Sequence, residues 1–241
     1  MTDWYAREAR LTVEVSERML ELAGIRSGMR VLDLATGRGE PLVRIAHRVG
    51  PTGLVVGVDP WMDALEETRR RVGENVQFQA VSADAFEFVP GSFEAVTSRW
   101  GLFSMPDPVA VLRRARQALK PGGCLVAALW AEYERIPWYS VPREVAARFG
   151  QLPPLAYDRP GPLRLATLEL IERDFGAAGW VLEHVEEREC AIVEAEDLGE
   201  WVRFFFPSWV TPAEELQRAA EPYRKDGVLR LGGVTRLVVA R

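Results

Sequence analysis

Three carboxylates and one run of small residues are the parts of this chain whose types and spacing could do chemistry. Asp33 stands just before Ala35, Thr36, Gly37 and Gly39; Asp59 follows Gly39 by 20 positions; Asp84 lies further along. Each acid falls at or just past the C-terminal end of a successive predicted strand, the edge at which open α/β sheets bind ligands. An acid at that distance from a glycine turn is placed to accept hydrogen bonds from a ribose. The expected ligand therefore contains a nucleoside.

The elements that must position these residues can be read in order. Apolar residues at Leu11, Val15, Met19 and Leu22 repeat at helical spacing and stop at Gly24. Met29 to Leu34 reads as a strand feeding the glycine turn, and Pro41 suits the first turn of a helix closed by Gly50-Pro51. The unit repeats with a strand at Leu54 to Val58, a helix started by Asp59-Pro60, and a third strand at Val76 to Val81. Phe93 to Thr97 is a fourth strand, Asp107-Pro108 cap a helix ended by Lys120 to Gly123, and Cys124 to Trp130 is a fifth strand. Alternating β and α units imply an α/β, Rossmann-like, doubly wound and mostly parallel sheet of seven strands with an antiparallel last strand. Thr167 to Ala178 reads as a helix and Val181 to Ala191 as a strand. Val228 to Leu231 and Val234 to Ala240 read as two strands around a tight turn at Gly232-Gly233. A single domain is expected over residues 1–241: a core at 1–130, helical cap insertions at 131–165 and 195–225, and 166–194 with 226–241 completing the sheet. Thr211 to Glu214 reads as a capping box within the second insertion.

The glycines decide which nucleoside. A dinucleotide turn needs Gly-x-Gly-x-x-Gly, yet counting from Gly37 places Leu42 in the third slot, and counting from Ala35 places Glu40 there. Glu40 would also repel a pyrophosphate at that helix N-terminus. A cofactor with a cationic end reverses the sign, and the ammonium and sulfonium of S-adenosylmethionine (SAM) suit Asp33 and Glu40. The run Val31-Leu-Asp-Leu-Ala-Thr-Gly-Arg-Gly39 resembles the glycine-rich motif of class I SAM-dependent methyltransferases, especially the ubiquinone/menaquinone-biosynthesis-like branch (methyltransferase types 11 and 25). Val55 to Asp59, Ser82 to Ala85, Phe93 to Val96, Leu119 to Gly123 and Arg173 to Trp180 are similar to that family in order and spacing.

The resemblance implies that Ala35, Thr36 and Gly37 line the methionyl end, with Asp33 and Gly39 beside them. It implies that Asp59 holds the ribose, that Pro60, Trp61 and Met62 flank the adenine, and that Ala83, Asp84 and Ala85 bind its edge. Ser98 and Arg99, at the end of the fourth strand, complete the expected cofactor set. Ala35 departs from the glycine that many members carry. Trp100 and Phe103 follow the strand end that would face the transferred methyl; with Trp4, Tyr5 and Tyr139 they are the candidate substrate-pocket residues. The remaining aromatics, Trp130, Trp138, Trp201, Phe204 to Phe206 and Trp209, read mainly as packing. A sulfonium methyl is already electrophilic, so alignment and exclusion of water are the main requirements. Arg99, Tyr133, Glu134 and Tyr139 lie where a base would serve a hydroxyl acceptor, but no spacing singles one out, and the catalytic residue stays open.

Composition narrows the partners. A net charge of -5 over 241 residues disfavours nucleic acid, and two cysteines, Cys124 and Cys190, are too few for a structural metal or a disulfide framework. The longest uncharged apolar run is too short to span a bilayer, and the expected location is the cytoplasm. His47 and His184 read as structural or surface residues. The expected activity is methyl transfer to an O or C atom of a small aromatic or apolar molecule, by a monomer or homodimer. The segment Ser98 to Gly101 replaces the Asn/Asp-Pro-Pro-aromatic signature of amino-methylating enzymes. The rivals are a SAM binder with a non-methylating or regulatory role, and a nicotinamide-dependent oxidoreductase.

Overall fold

The computed structural model describes residues 3–150 and 152–241. Its strands are β1 (Arg30–Leu34), β2 (Leu54–Val58), β3 (Val76–Gln79), β4 (Phe93–Arg99), β5 (Leu119–Trp130), β6 (Leu182–Ala195), β7 (Arg224–Lys225) and β8 (Val228–Ala240). Its helices are α1 (Trp4–Leu11), α2 (Val13–Leu22), α3 (Leu42–Val49), α4 (Met62–Arg69), α5 (Pro108–Ala118), α6 (Pro137–Phe149), α7 (Leu168–Ala177), α8 (Gly199–Phe205) and α9 (Ala213–Ala220). The sheet runs β3-β2-β1-β4-β5-β8-β6, with the two-residue β7 paired to β8. β1 to β5 are mutually parallel, and β8 is antiparallel to both β5 and β6. The predicted Rossmann-like architecture is thus the one observed.

Alternation along buried strands sends neighbouring residues to opposite faces. Leu32, Leu34, Val96 and Leu125 pack with Leu112 of α5 and Ile171 and Phe175 of α7. Val31, Val55, Ala95 and Val126 pack with Met19 and Leu20 of α2 and Leu42 and Ile45 of α3. A third cluster joins Trp4 and Trp130 to α6, α8 and α9 and to Leu229 and Leu231, so residues 131–165 and 195–225 cover one end of the sheet. β1 and β4 are neighbours although two strands separate them in sequence. That juxtaposition is the topological switch, and it opens a crevice at the strands' C-terminal ends.

Several local expectations are corrected. Gly232 and Gly233 are not a turn: β8 is continuous through them, pairing Gly232 with Ala191 and Gly233 with Cys190. A Cβ on Gly232 would lie 1.8 Å from the Cys190 carbonyl oxygen, so the glycine admits a close backbone approach rather than a reversal. The reversal is at Asp226-Gly227, both in left-handed conformation at φ 51° and 81°. The capping box at Thr211 to Glu214 does not form; Pro212 occupies the N-cap with no side-chain hydrogen bond. β5 starts at Leu119, not Cys124, because Lys120 to Gly123 continue into the strand past a register shift. The first helix is two helices, and Thr12 at the break donates its hydroxyl to the Glu8 carbonyl at 2.8 Å.

Candidate active site

The turn after β1 is held by left-handed residues. Ala35, Gly37 and Gly39 have φ of 57°, 51° and 87°. Alanine is strained there, by about 1–2 kcal/mol, and its side chain points to a neighbour with none. A Cβ built on Gly101 would fall 2.3 Å from the Ala35 Cβ. Gly101, which sequence reasoning missed, is therefore the steric complement that lets alanine occupy position 35. Gly57 is a second such point, since a Cβ there would meet Leu42 Cδ1 at 2.5 Å and Thr36 Oγ1 at 2.9 Å.

Asp59 ties the turn to β2. One carboxylate oxygen accepts the Gly37 N–H and the other the Trp61 N–H, each at 2.8 Å. Each oxygen retains a lone pair for a further donor. Asp33 does something different from the direct charge contact expected of it. It is 1% exposed, and its oxygens accept hydrogen bonds from Thr97 Oγ1 at 2.6 Å and Thr36 Oγ1 at 2.9 Å. Burial pushes its carboxyl up to about 7, against the lowering effect of those hydroxyls and of Arg99. Asp33 braces the turn from behind.

A cavity of about 500 Å³ opens at the switch point. Of the expected cofactor set, Ala35, Thr36, Gly37, Trp61 and Arg99 line it, and Tyr5 and Trp100 do so from the expected pocket. Asp33 and Ser98 are buried behind the wall. Gly39 and Ala83 are buried, while Pro60, Met62, Asp84 and Ala85 are exposed and outside this lining. Three residues of the expected pocket lie elsewhere in the fold. Trp4 is 4% exposed in the third cluster, Phe103 accepts the Gly161 N–H on its carbonyl, and Tyr139 packs on Trp138 and Trp209. None of the three lines the cavity. Trp130, Trp138, Trp201, Phe205 and Ile192 do. These rings are packing and pocket wall at once, because the third cluster is hollow on this side.

The charges also differ from expectation. Glu40 lines the cavity but is paired with Arg44 at 2.8 Å, so it is not a free anion. Arg10, Arg38, Arg44, Arg71 and Arg99 face the same space as Glu8, Glu40 and Glu67. The Arg38 guanidinium sits 4.6 Å from the Tyr5 ring and 5.0 Å from the Trp61 ring, and pairs with Glu67. That clamp fastens α1 across the turn, with Tyr5 edge-on to Trp61 at 5.9 Å. Arg99 is held by Thr12 Oγ1 at 2.6 Å and the Glu40 carbonyl at 3.1 Å, over the Trp100 ring at 4.5 Å. Trp100 itself stacks on Trp130 with centroids 4.5 Å apart, and its indole N–H reaches Thr235 Oγ1.

Comparison with known proteins finds likeness over part of the chain. A family model described as a methyltransferase domain matches residues 31–123, the stretch from β1 through the turn into β5. Residues 31–123 are thus similar to a methyltransferase domain. The resemblance read from the glycine-rich motif is thereby borne out. The demethylmenaquinone methyltransferase of Staphylococcus aureus is 34% identical over 112 residues, 46% of each chain. The chain thus spans about half the length of the curated relatives it matches. A SAM-dependent methyltransferase from Aquifex aeolicus superposes with a TM-score of 0.58 at 15% identity, covering 100% of this chain and 99% of that one. The cyclase SpnF superposes with a TM-score of 0.59 at 20% identity, covering 95% and 80%. Likeness at these identities shows the fold alone. Among the described residues no helix is long and apolar enough to cross a membrane, and Cys124 and Cys190 are free.

Proposed function

We propose that the protein transfers a methyl group from SAM to an O or C atom of a small aromatic or apolar acceptor. The observation that carries this reading is the Gly37 turn locked to Asp59 at the mouth of a cavity whose far wall is aromatic. An adenosyl amino acid carries a carboxylate beside its cationic groups, and the cavity offers arginines for it. When bound, SAM supplies a methyl carbon already activated by its sulfonium. The chain's own residues bind, align and dry the site. Asp59 presents carboxylate lone pairs to a ribose, the Ala35 to Gly37 backbone follows the methionyl group, and Arg99 or Arg38 neutralises its carboxylate. Trp100, Trp130, Trp138 and Trp201 exclude water and orient a flat acceptor in line with the bond that breaks. The demethylmenaquinone activity of the Staphylococcus aureus relative supports a ring acceptor of quinol type.

One second reading is kept, a SAM binder that does not methylate, since the same fold is found in a protein named as a cyclase. Incubation with methyl-labelled SAM and a panel of quinols and phenols separates the two: label in the acceptor supports transfer, and binding without label supports the second. The binding claim itself is tested by melting. SAM and S-adenosylhomocysteine should raise the melting temperature, and Asp59→Ala should remove most of that shift. A wild-type protein that ignores both while binding NADH would reverse the assignment.

A further inference from the structure

The four residues that sequence position had offered as a base are unsuited to it. The Arg99 donors are engaged by Thr12 and the Glu40 carbonyl; the Tyr133 hydroxyl donates to the Ser140 carbonyl and burial pushes it up to about 12. Glu134 is exposed, and neither it nor Tyr139 lines the cavity. Three carboxylates do line it. Glu67 is spent on Arg38, and Glu40 on Arg44. Glu8, on the inner face of α1, is the exception: its Oε1 stands 3.4 Å from Arg99 Nη2, a long contact, while Arg99 makes its shorter hydrogen bonds elsewhere.

We propose that Glu8 is the general base that takes the proton of the acceptor, which is accordingly a phenol or enol lying on the Trp100–Trp130 stack. The inference rests on the methyl-transfer reading above. In the step, the Glu8 carboxylate removes the hydroxyl proton, the freed oxygen pair forms the new C–O bond, and the S–C bonding pair returns to sulfur. The products are the methyl ether, neutral thioether and protonated Glu8, so charge and atoms balance. α1 brings Glu8 to the crevice from a segment outside residues 31–123, which ties the choice of acceptor to that helix. The groups facing Glu8 are Tyr5 on its own helix, Arg99 on β4, Glu40 on the turn before α3 and Cys190 on β6. Burial raises the carboxyl above its ordinary value, Arg99 opposes this, and Glu40 adds to it. A base so tuned is nearer the working pH than an exposed glutamate.

The test uses the full chain with glutamate labelled at the side-chain carboxyl, titrated by carbon NMR, with Glu8→Gln assigning the resonance. The expected midpoint lies above the ordinary glutamate range. With methyl-labelled SAM and catechol as probe, Glu8→Gln should lower kcat by about 100-fold and abolish the acid limb of the pH profile, while S-adenosylhomocysteine affinity changes less than twofold. An ordinary midpoint, or a Gln variant that keeps the wild-type rate and limb, overturns the proposal. So does a tenfold loss of S-adenosylhomocysteine affinity with the limb intact, which would make Glu8 the partner of the cofactor's ammonium. Should wild-type protein bind no S-adenosylhomocysteine, the methyl-transfer reading fails instead, and the titration still reports on Glu8. If wild-type protein binds S-adenosylhomocysteine yet methylates neither catechol nor another phenol or enol, the proposal is overturned.

Discussion

Gly101→Ala, made alone and with Ala35→Gly, isolates the contact on which the cofactor turn is built. Gly101 has φ -100° and ψ -43°, a conformation alanine adopts freely, so the substitution carries no backbone penalty. Its cost is steric: the new Cβ would stand 2.3 Å from the Ala35 Cβ, 2.9 Å from Ser98 Oγ and 3.4 Å from the Leu34 carbonyl oxygen. The Ser98 hydroxyl can rotate away, since it lacks a hydrogen-bond partner among the described residues. Two Cβ atoms on backbone cannot. Overpacking of this kind costs about 1–3 kcal/mol, which for a chain of this size lowers the melting temperature by roughly 2–12 °C at about 2–4 °C per kcal/mol. Ala35→Gly alone should be near neutral, because relief of the left-handed strain is offset by the freedom that glycine gains in the unfolded chain. In the double variant the clash is gone, so a coupling of about 1–3 kcal/mol between the sites is expected. Urea unfolding of the four proteins measures it, and S-adenosylhomocysteine titration follows the turn itself. Additive stabilities within 0.3–0.5 kcal/mol, the ordinary scatter for independent sites, would refute the proposed fit between Ala35 and Gly101.

Asp33 makes stability fall with rising pH. Its folded value of about 7 exceeds the ordinary 3.8, so the folded state holds the extra proton and the stabilisation is complete below 3.8 and lost as pH rises through 7. The wild-type minus Asp33→Asn difference should decline by up to about 1.4 kcal/mol per pH unit in that window, and urea unfolding that gives a flat difference would place the carboxyl outside its buried pair of threonines. Gly232→Ala forces a Cβ onto the Cys190 carbonyl oxygen and the Ala191 Cα, where only backbone could yield. A loss of about 3 kcal/mol or more is expected; a variant as stable as wild type would restore the turn read from sequence. Gly176→Ala is the contrasting case, in helix α7 with nothing within 4 Å of the added methyl. It should stabilise by about 0.5–1 kcal/mol in the same assay, and a net loss would mean that the methyl meets an unseen neighbour.

The order of strands and helices, the glycine turn and the acids after it were legible in the sequence because each rests on local periodicity or on spacing within one βαβ unit. Asp59 and Gly37 are 22 residues apart and joined by a single crossover, so their meeting follows from the fold class alone. Asp33 shows where that reasoning stops. Its position was readable, but its burial depended on Thr97, which lies 64 residues away on the strand that the switch of topology brings beside β1. The fit between Ala35 and Gly101 has the same origin. Gly232 and Gly233 misled because a glycine pair is as compatible with a close strand crossing as with a turn, and only the partner strand distinguishes them.

The sequence by itself determined the class of fold and the sheet edge at which the crevice opens, since both are encoded in short runs whose partners lie one unit away. Tertiary structure decided the charge and shape of the cavity. Glu8 and Tyr5 arrive on α1, Trp130 at the end of β5, Ile192 within β6, Trp138 on α6, and Trp201 and Phe205 on α8. No periodicity links those positions. They converge because the third apolar cluster must bury its rings against the end of the sheet, and the space left where that packing is incomplete becomes the pocket.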